Sequence, residues 1–388
     1  MWRGRPLWAE IDLDAIERNV AVLRGCLAAG AEYMAVVKAN AYGHGAVRAA
    51  RAALAGGASW LGVNVADEGV QLRQAGVGAR ILVLGYVPPW EAEKVVFHSL
   101  TPTVNTLQQA FALASASRWR GLATPVHVKV DTGMSRYGLL PEEVVPFVRA
   151  LTGLPHLQYE GLWTHFATAD EADKTFANRQ LALFNQVVLQ LEEVGLGPRL
   201  RHTANSGATL QLPESHLDLV RCGIATYGLY PSAEVERRVS LHPALALKAR
   251  AGRVRRLPAG TPVGYGRTFV AEHDFVAALV PGGYADGLHR SLSNLGEVLI
   301  RGRRARILGR ISMDQIVVDA TGVPGVEVDD EVVILGRQGD ECISAEQMAA
   351  WMGTINYEVV TGLSPRVPRL YLRDGQVVAT ETLVDCSP

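Results

Sequence analysis

The chain has 388 residues, 48% of them apolar, with 38 Lys plus Arg against 39 Asp plus Glu. This balance describes a folded globular protein and excludes a disordered, collagen-like or strongly charged one. The net charge of −1 argues against a nucleic-acid or membrane-surface binder, and no window approaches the roughly 18 apolar residues of a membrane span.

In chain order, the start MWRGRPLWAEIDL offers only Leu7, Trp8 and Ala9 as an apolar run before Glu10, too short for a signal peptide, so a cytoplasmic location is expected. A helix near Leu13–Ala28 follows, with Asp12 or Asp14 available as its cap. Short apolar runs then alternate with longer amphipathic ones. The runs are Met34–Val37, Trp60–Val65, Arg80–Leu84, Pro102–Val104, Val126–Val130, Gly161–Thr164, Leu200–Thr203 and Leu217–Val220. Between them lie helical patterns such as Ala46–Ala55, Asp67–Ala75, Thr106–Ser117, Pro141–Leu151 and Asp173–Val194. Eight strands with intervening helices predict an α/β fold, a closed (β/α)8 TIM-like barrel over residues 1–240.

Beyond residue 240 the texture changes. The runs Leu241–Arg256, Phe275–Val280, Val298–Ile300, Ala305–Leu308, Ile316–Asp319 and Val332–Leu335 are divided by Gly and Pro, which predicts a mostly antiparallel β domain over residues 241–388. One clear helix interrupts it, beginning at Ser344 with Gln347 completing a capping box. Cys26, Cys222, Cys342 and Cys386 form no CxxC pair, so neither a zinc site nor a disulfide framework is expected.

Only five of the 38 basic residues are Lys, leaving 33 Arg, so each Lys can be weighed singly. Lys38 ends the first apolar run in AVVKANAYGHG, where a β/α barrel carries its catalytic groups. An amine buried there has a lowered pKa and can form an imine with an aldehyde; the alternative is an ordinary surface lysine. Ser206–Gly207 and Gly223–Ile224 follow the seventh and eighth runs, where such barrels hold phosphate, although Ser206 taken alone reads first as a helix cap. Lys129 alternates with His127 and Asp131, so the three share one side of a strand, and a plain Lys129–Asp131 pair is one reading of them.

AVVKANAYGHG resembles the pyridoxal-phosphate lysine motif of the alanine racemases. The resemblance continues in order and spacing through KVDTGMSRYG (Lys129–Gly138), THFATAD (Thr164–Asp170), HTANSGA (His202–Ala208), RCGIATYG (Arg221–Gly228), VGYG (Val263–Gly266), PGGYADG (Pro281–Gly287), GRISMDQ (Gly309–Gln315) and INYE (Ile355–Glu358). It implies a β/α barrel followed by a β domain, a homodimer with shared active sites, and pyridoxal 5'-phosphate as cofactor. It further implies racemisation of alanine by two bases, Lys38 and Tyr265, which would supply D-alanine for peptidoglycan. Tyr42, Ser206, Gly223, Ile224 and Tyr357 would hold the phosphate, and Arg221 would face the ring nitrogen. His165 would assist Tyr265, and Arg136 with the backbone at Met313 would take the substrate carboxylate. Tyr284, Arg290 and Tyr357 would narrow the entrance. Relatives carry a carbamylated lysine at the position of Lys129, and Ser312 departs from a cysteine common among them. A broader alanine/serine racemase and a non-catalytic pyridoxal-phosphate-binding protein are the rival readings. The second is disfavoured because such proteins resemble the barrel alone.

Overall fold

The computed structural model describes residues 2–384; Cys386 lies outside them. The chain forms two compact units, each discontinuous: Ala15–Tyr42 with Ala46–His242, and Met1–Asp14 with Gly43–Gly45 and Pro243–Pro388.

The first of these units is the barrel. All eight expected strands are present, at Glu32–Val36, Trp60–Val63, Arg80–Val83, Thr101–Pro102, Thr124–Lys129, Leu157–Trp163, Leu200–His202 and Leu219–Cys222. They pair in parallel as a five-stranded and a three-stranded sheet. The Thr103–His127 bridge joins the two, and a hydrogen bond from Arg221 N to Ala204 O of 2.9 Å closes the ring. The fourth strand is the shortest, because its second residue is Pro102, which has no N–H to give. Helices form where the amphipathic pattern lies, at Ala46–Ala55, Ala66–Gln74, Leu107–Arg120, Pro141–Thr152 and Thr175–Glu193. Thr106 and Gln109 cap the third of these reciprocally, and Gly121 ends it in the left-handed conformation at φ 63°. Met34, Trp60, Leu82, Leu200 and Leu219 pack inside the barrel. Each such side chain contributes about 1.5–3 kcal/mol on burial.

The second unit is the antiparallel β domain, and three of its features differ from expectation. The run Leu241–Arg256 is two strands, Leu245–Arg250 and Arg253–Leu257, separated at Ala251–Gly252, where Ala251 N bonds to Asp330 O at 2.9 Å and Gly252 N to Leu279 O at 2.8 Å. The opening residues form a strand, Leu7–Asp12, that pairs antiparallel with Leu245–Arg250 and parallel with Arg369–Arg373. Arg369–Arg373 itself hairpins with Gln376–Glu381. Leu7–Asp12 thus joins two partners more than 100 residues away, a relation no local pattern carries. The helix expected at Ser344 is Ala345–Met352, with Ser344 accepting from Gln347 N, but a second helix, Asn356–Thr361, accompanies it. Among the described residues no helix is long and apolar enough to cross a membrane, and no three His, Cys, Asp or Glu side chains cluster as metal ligands do.

Candidate functional site

Within the barrel unit, the carboxyl ends of the strands gather most of the residues singled out from the sequence. Lys38 follows the first strand and is half-buried. The chain beyond it turns left-handed for four residues, with φ of 52°, 52° and 54° at Ala39, Asn40 and Ala41 and 53° at Tyr42. Such a conformation costs roughly 1–2 kcal/mol per non-glycine residue. Among the bonds that hold it are Ala39 N to Glu68 Oε1 at 2.6 Å, Ala41 N to Val37 O at 2.9 Å, and Ala46 N to Asn40 Oδ1 at 2.7 Å. Glu68 also accepts from Asn64 N at 2.7 Å, so one carboxylate ties the ends of the first two strand loops together. Burial and the charge of Arg136 lower the Lys38 amine, against Glu68, which raises it.

The left-handed turn carries Tyr42 back to the eighth strand. A β-carbon on Gly223 would lie 2.4 Å from the Tyr42 hydroxyl oxygen. Beside it, Ser206 Oγ accepts from Gly223 N at 3.0 Å and Ala225 N at 3.4 Å. The helix cap is its neighbour Asn205, whose side chain accepts from Ala208 N. Ser206 is therefore free of that task, and Ile224 is fully buried under the loop. Hydroxyls and amides converging on a glycine too crowded for a side chain are an anion-binding donor set.

Arg221, at the end of the eighth strand, is 3% exposed and has no carboxylate partner among the described residues. Its Nη1 donates to His202 O at 2.7 Å and His202 Nδ1 at 3.1 Å. Its Nη2 donates to Thr164 O at 2.7 Å, Thr203 O at 3.0 Å and His165 Nδ1 at 3.3 Å. Burial draws the guanidinium down to about 9, which leaves it charged at neutral pH. Because a guanidinium only donates, His165 Nδ1 accepts, and its Nε2 carries the proton. Burial, then Arg221, Lys129, Arg136 and Lys38, hold His165 well below the usual histidine range, so it is neutral.

Lys129 is 4% exposed, with Nζ 4.7 Å from the Trp163 ring centre and 5.6 Å from that of Tyr137. Asp131 turns away: its Oδ1 accepts from Gly133 N and Ser135 N, both at 3.0 Å, and the pairing with Lys129 weighed from the sequence does not form. Burial, with Arg136 and Arg221, brings the Lys129 amine down to about 8 against Asp131. Arg136 itself is exposed on the loop after this strand.

The remaining candidates belong to the β unit. Tyr265 is 68% exposed and lines an open cavity of about 860 Å³ with Tyr284, Arg290, Met313, Asp314 and Glu358 among others. The Tyr284 turn is tied to the Met313 loop by Tyr284 N to Ser312 O and Ala285 N to Met313 O, both 3.1 Å. Buried Asp286 braces the turn, paired with Arg5 at 2.7 Å and Arg366 at 2.6 Å, and Arg366 also reaches Asp314. Tyr357 sits half-buried on the helix Asn356–Thr361. Sequence reasoning missed Glu68, His202 and Asp286. None had a local signal: Glu68 stands three residues after Val65 and accepts from its N–H at 3.3 Å, but a valine side chain cannot cap in return.

Residues 11–231 match the family described as "Alanine racemase, N-terminal domain", and residues 244–371 match "Alanine racemase, C-terminal domain". The alanine racemase of Carboxydothermus hydrogenoformans is 47% identical over 371 residues, covering 95% of this chain and all of that one. The alanine racemase of Bacillus anthracis, solved with bound L-Ala-P, superposes with a TM-score of 0.93 at 38% identity over 99% of this chain and all of that one. That of Bartonella henselae, solved with covalently bound pyridoxal phosphate, gives 0.85 at 31% over 95% of this chain and all of that one.

Proposed function

The chain belongs to the alanine racemase family, and from that premise we propose that it interconverts L- and D-alanine with pyridoxal 5'-phosphate, through Lys38 and Tyr265 as its two proton-transferring groups. The observation that carries the reading is the buried Arg221, a cation whose hydrogen bonds all go to neutral acceptors.

The donor set fits the cofactor. Lys38 offers the amine for its aldehyde. Tyr42, Ser206 and the Gly223–Ile224 loop offer hydroxyls and amides for its phosphate, in a cradle that a β-carbon at Gly223 would fill. Arg221 keeps Nε without a protein acceptor among the described residues, so it can donate to the ring nitrogen. Tyr357 of the β domain adds a further hydroxyl to the phosphate. Pyridoxal phosphate, when bound, acidifies the α-hydrogen of an amino acid joined to its aldehyde carbon.

Arg221 keeps its proton near neutrality, so a ring nitrogen held by it would remain unprotonated and would supply only a weak electron sink. This favours prompt return of the α-proton over competing reactions. Lys38 would move the proton at Nζ on one side, and Tyr265 Oη would move it on the other. Neutral His165, held by Arg221 with its proton on Nε2, assists Tyr265. Arg136 and the Met313 amide hold the substrate carboxylate. The unpaired, lowered amine of Lys129 suits addition of carbon dioxide, and the resulting carbamate would aim Arg136. Tyr284, Arg290 and Tyr357 limit the entrance to a small side chain, favouring alanine over larger amino acids.

The exposed Tyr265, Tyr284 and Met313 around one cavity support a homodimer in which Tyr265 of the partner subunit completes each site. A cytoplasmic location and supply of D-alanine to peptidoglycan accompany this reading. Alanine incubated in deuterated water with the enzyme should gain α-deuterium in both enantiomers. Bound cofactor without exchange would refute the reading, and equal rates with serine would refute the preference for alanine.

A further inference from the structure

Behind Arg221, a file of buried polar side chains runs down the barrel interior from the carboxyl ends of the strands to their amino ends. His202 and His127 are both fully buried, and Glu160 is 3% exposed. His202 Nε2 lies 2.9 Å from His127 Nδ1, and His127 Nε2 lies 3.4 Å from Glu160 Oε2. At the far end, Glu160 is paired with Arg80, at the start of the third strand, and with Arg199 at 2.6 Å, just before the seventh. The ring planes are fixed. Trp163 stacks on His202 at 8° with centres 5.7 Å apart, Trp60 lies 5.5 Å from His127, and a β-carbon on Gly161 would strike the His127 ring at 2.7 Å.

Proton counting leaves one arrangement. The guanidinium of Arg221 only donates, so His202 Nδ1 accepts and His202 holds its proton on Nε2. That proton is donated to His127 Nδ1, so His127 holds its own on Nε2 and donates it to Glu160. Either opposite tautomer, or either imidazolium, would set a donor against a donor in a dry interior. We infer that His202 and His127 form a one-way donor relay from Arg221 to Glu160, in which His127 and Glu160 are positioning residues that hold the Arg221 guanidinium. A carboxylate at one end polarises each N–H in turn and makes each following Nδ1 a better acceptor, so the charge of Glu160 is felt at Arg221.

The surrounding charges agree with neutral rings. Burial lowers His127, with Arg80 and Arg221 adding to it against Glu160, and burial, Arg221 and His127 lower His202. Burial would raise the Glu160 carboxyl, but hydrogen bonds from His127 and Arg80 outweigh it and bring it to about 2. The consequence for catalysis rests on the racemisation reading; the tautomers do not.

The test is nitrogen-15 NMR of the holoenzyme labelled at histidine, with His127→Gln and His202→Gln used only to assign signals. In the unaltered enzyme both rings should show the neutral Nε2–H signature from about pH 6 to 9. An Nδ1–H tautomer or an imidazolium at either position overturns the relay; should either variant fail to fold, the two rings are assigned in the unaltered enzyme through the short His202–His127 contact. In Glu160→Gln, which keeps an acceptor oxygen but loses the charge, the His202 ring signals should move although the residues do not touch. Movement confined to His127 overturns the transmission. In the same variant kcat should fall about tenfold in both directions, the scale of a weakened charge-assisted bond, with KM for alanine held by the remote Arg136. A rise in KM at constant kcat overturns the positioning role. Absence of racemisation with the tautomers intact would refute the proposed activity and leave the relay standing.

Discussion

Gly223 and Tyr42 stand so close that a β-carbon on the glycine would lie 2.4 Å from the phenol oxygen. Tyr42 cannot retreat freely, because its ring packs 5.2 Å from that of Tyr227 and its backbone is held in the left-handed turn. Gly223→Ala should therefore widen the phosphate cradle at an overpacking cost of about 1–3 kcal/mol. Titration of pyridoxal phosphate into the cofactor-free variant should show affinity reduced about tenfold or more. Unchanged affinity would remove Gly223 and Tyr42 from the phosphate site.

Lys129 gives the stability a distinct pH dependence. Its folded pKa of about 8 lies below the unfolded value of 10.5, so between these values the unfolded chain binds more protons and stability rises with pH. Below about pH 8 the cost is complete, on the order of 3 kcal/mol. In buffer free of bicarbonate, urea unfolding should show this rise in the wild type and a shallower one in Lys129→Met, where the lowered Lys38 and Arg221 remain. Adding carbon-13 bicarbonate should yield a carbamate carbon signal that the variant lacks. A wild type flat across the window would contradict the buried, unpaired amine.

Lys38 and Tyr265 are expected to differ in direction. Tyr265→Ala should most strongly block α-proton removal from L-alanine and spare the Lys38-side half-reaction, a loss on the order of a hundredfold or more on one side. Deuterium exchange started from each pure enantiomer separates the two. Equal losses would argue against two bases. Lys38→Ala should abolish the visible absorbance of the lysine-linked cofactor, and a surviving band would place the linkage elsewhere.

Asp286 braces the Tyr284 turn from inside the β domain. Burial would raise its carboxyl, but hydrogen bonds from Arg366, Arg5 and the Gly283 amide outweigh it and hold the group below the usual aspartate range. Its contribution is thus complete above the unfolded pKa of about 4 and is lost as pH falls through the folded value. Asp286→Asn should cost about 2 kcal/mol, less than a fully buried pair because both arginines are about 30% exposed. It should also raise KM through the Tyr284 and Met313 loops. Thermal unfolding and steady-state kinetics read the two effects, and an unchanged melting temperature would rule out the bracing role.

The barrel strands were legible because each is a short apolar run beside an amphipathic helix, and the helix Ala46–Ala55 falls where its pattern does. Leu7–Asp12 and Arg369–Arg373 were not, since a strand made by pairing the two ends of a chain has no period or turn of its own. At the site, Lys38, Ser206 and Arg221 stood out by their places after strands. Glu68 and His202 did not, because a carboxylate that accepts three backbone amides and a histidine read by its neighbours look ordinary in one dimension.

Sequence was enough to establish the family, the order of strands, and the scarcity of lysine that made Lys38 and Lys129 conspicuous among 33 arginines. Folding settled what those residues are chemically. Lys129 proved to have no carboxylate partner among the described residues because Asp131 caps its own loop, Ser206 proved to bind the Gly223 loop because Asn205 takes the cap, and Arg221 proved to head a file of histidines ending on Glu160. Residue types follow from the chain, but a pKa, a tautomer or a free donor depends on burial and on what lies opposite, and only packing brings those groups together.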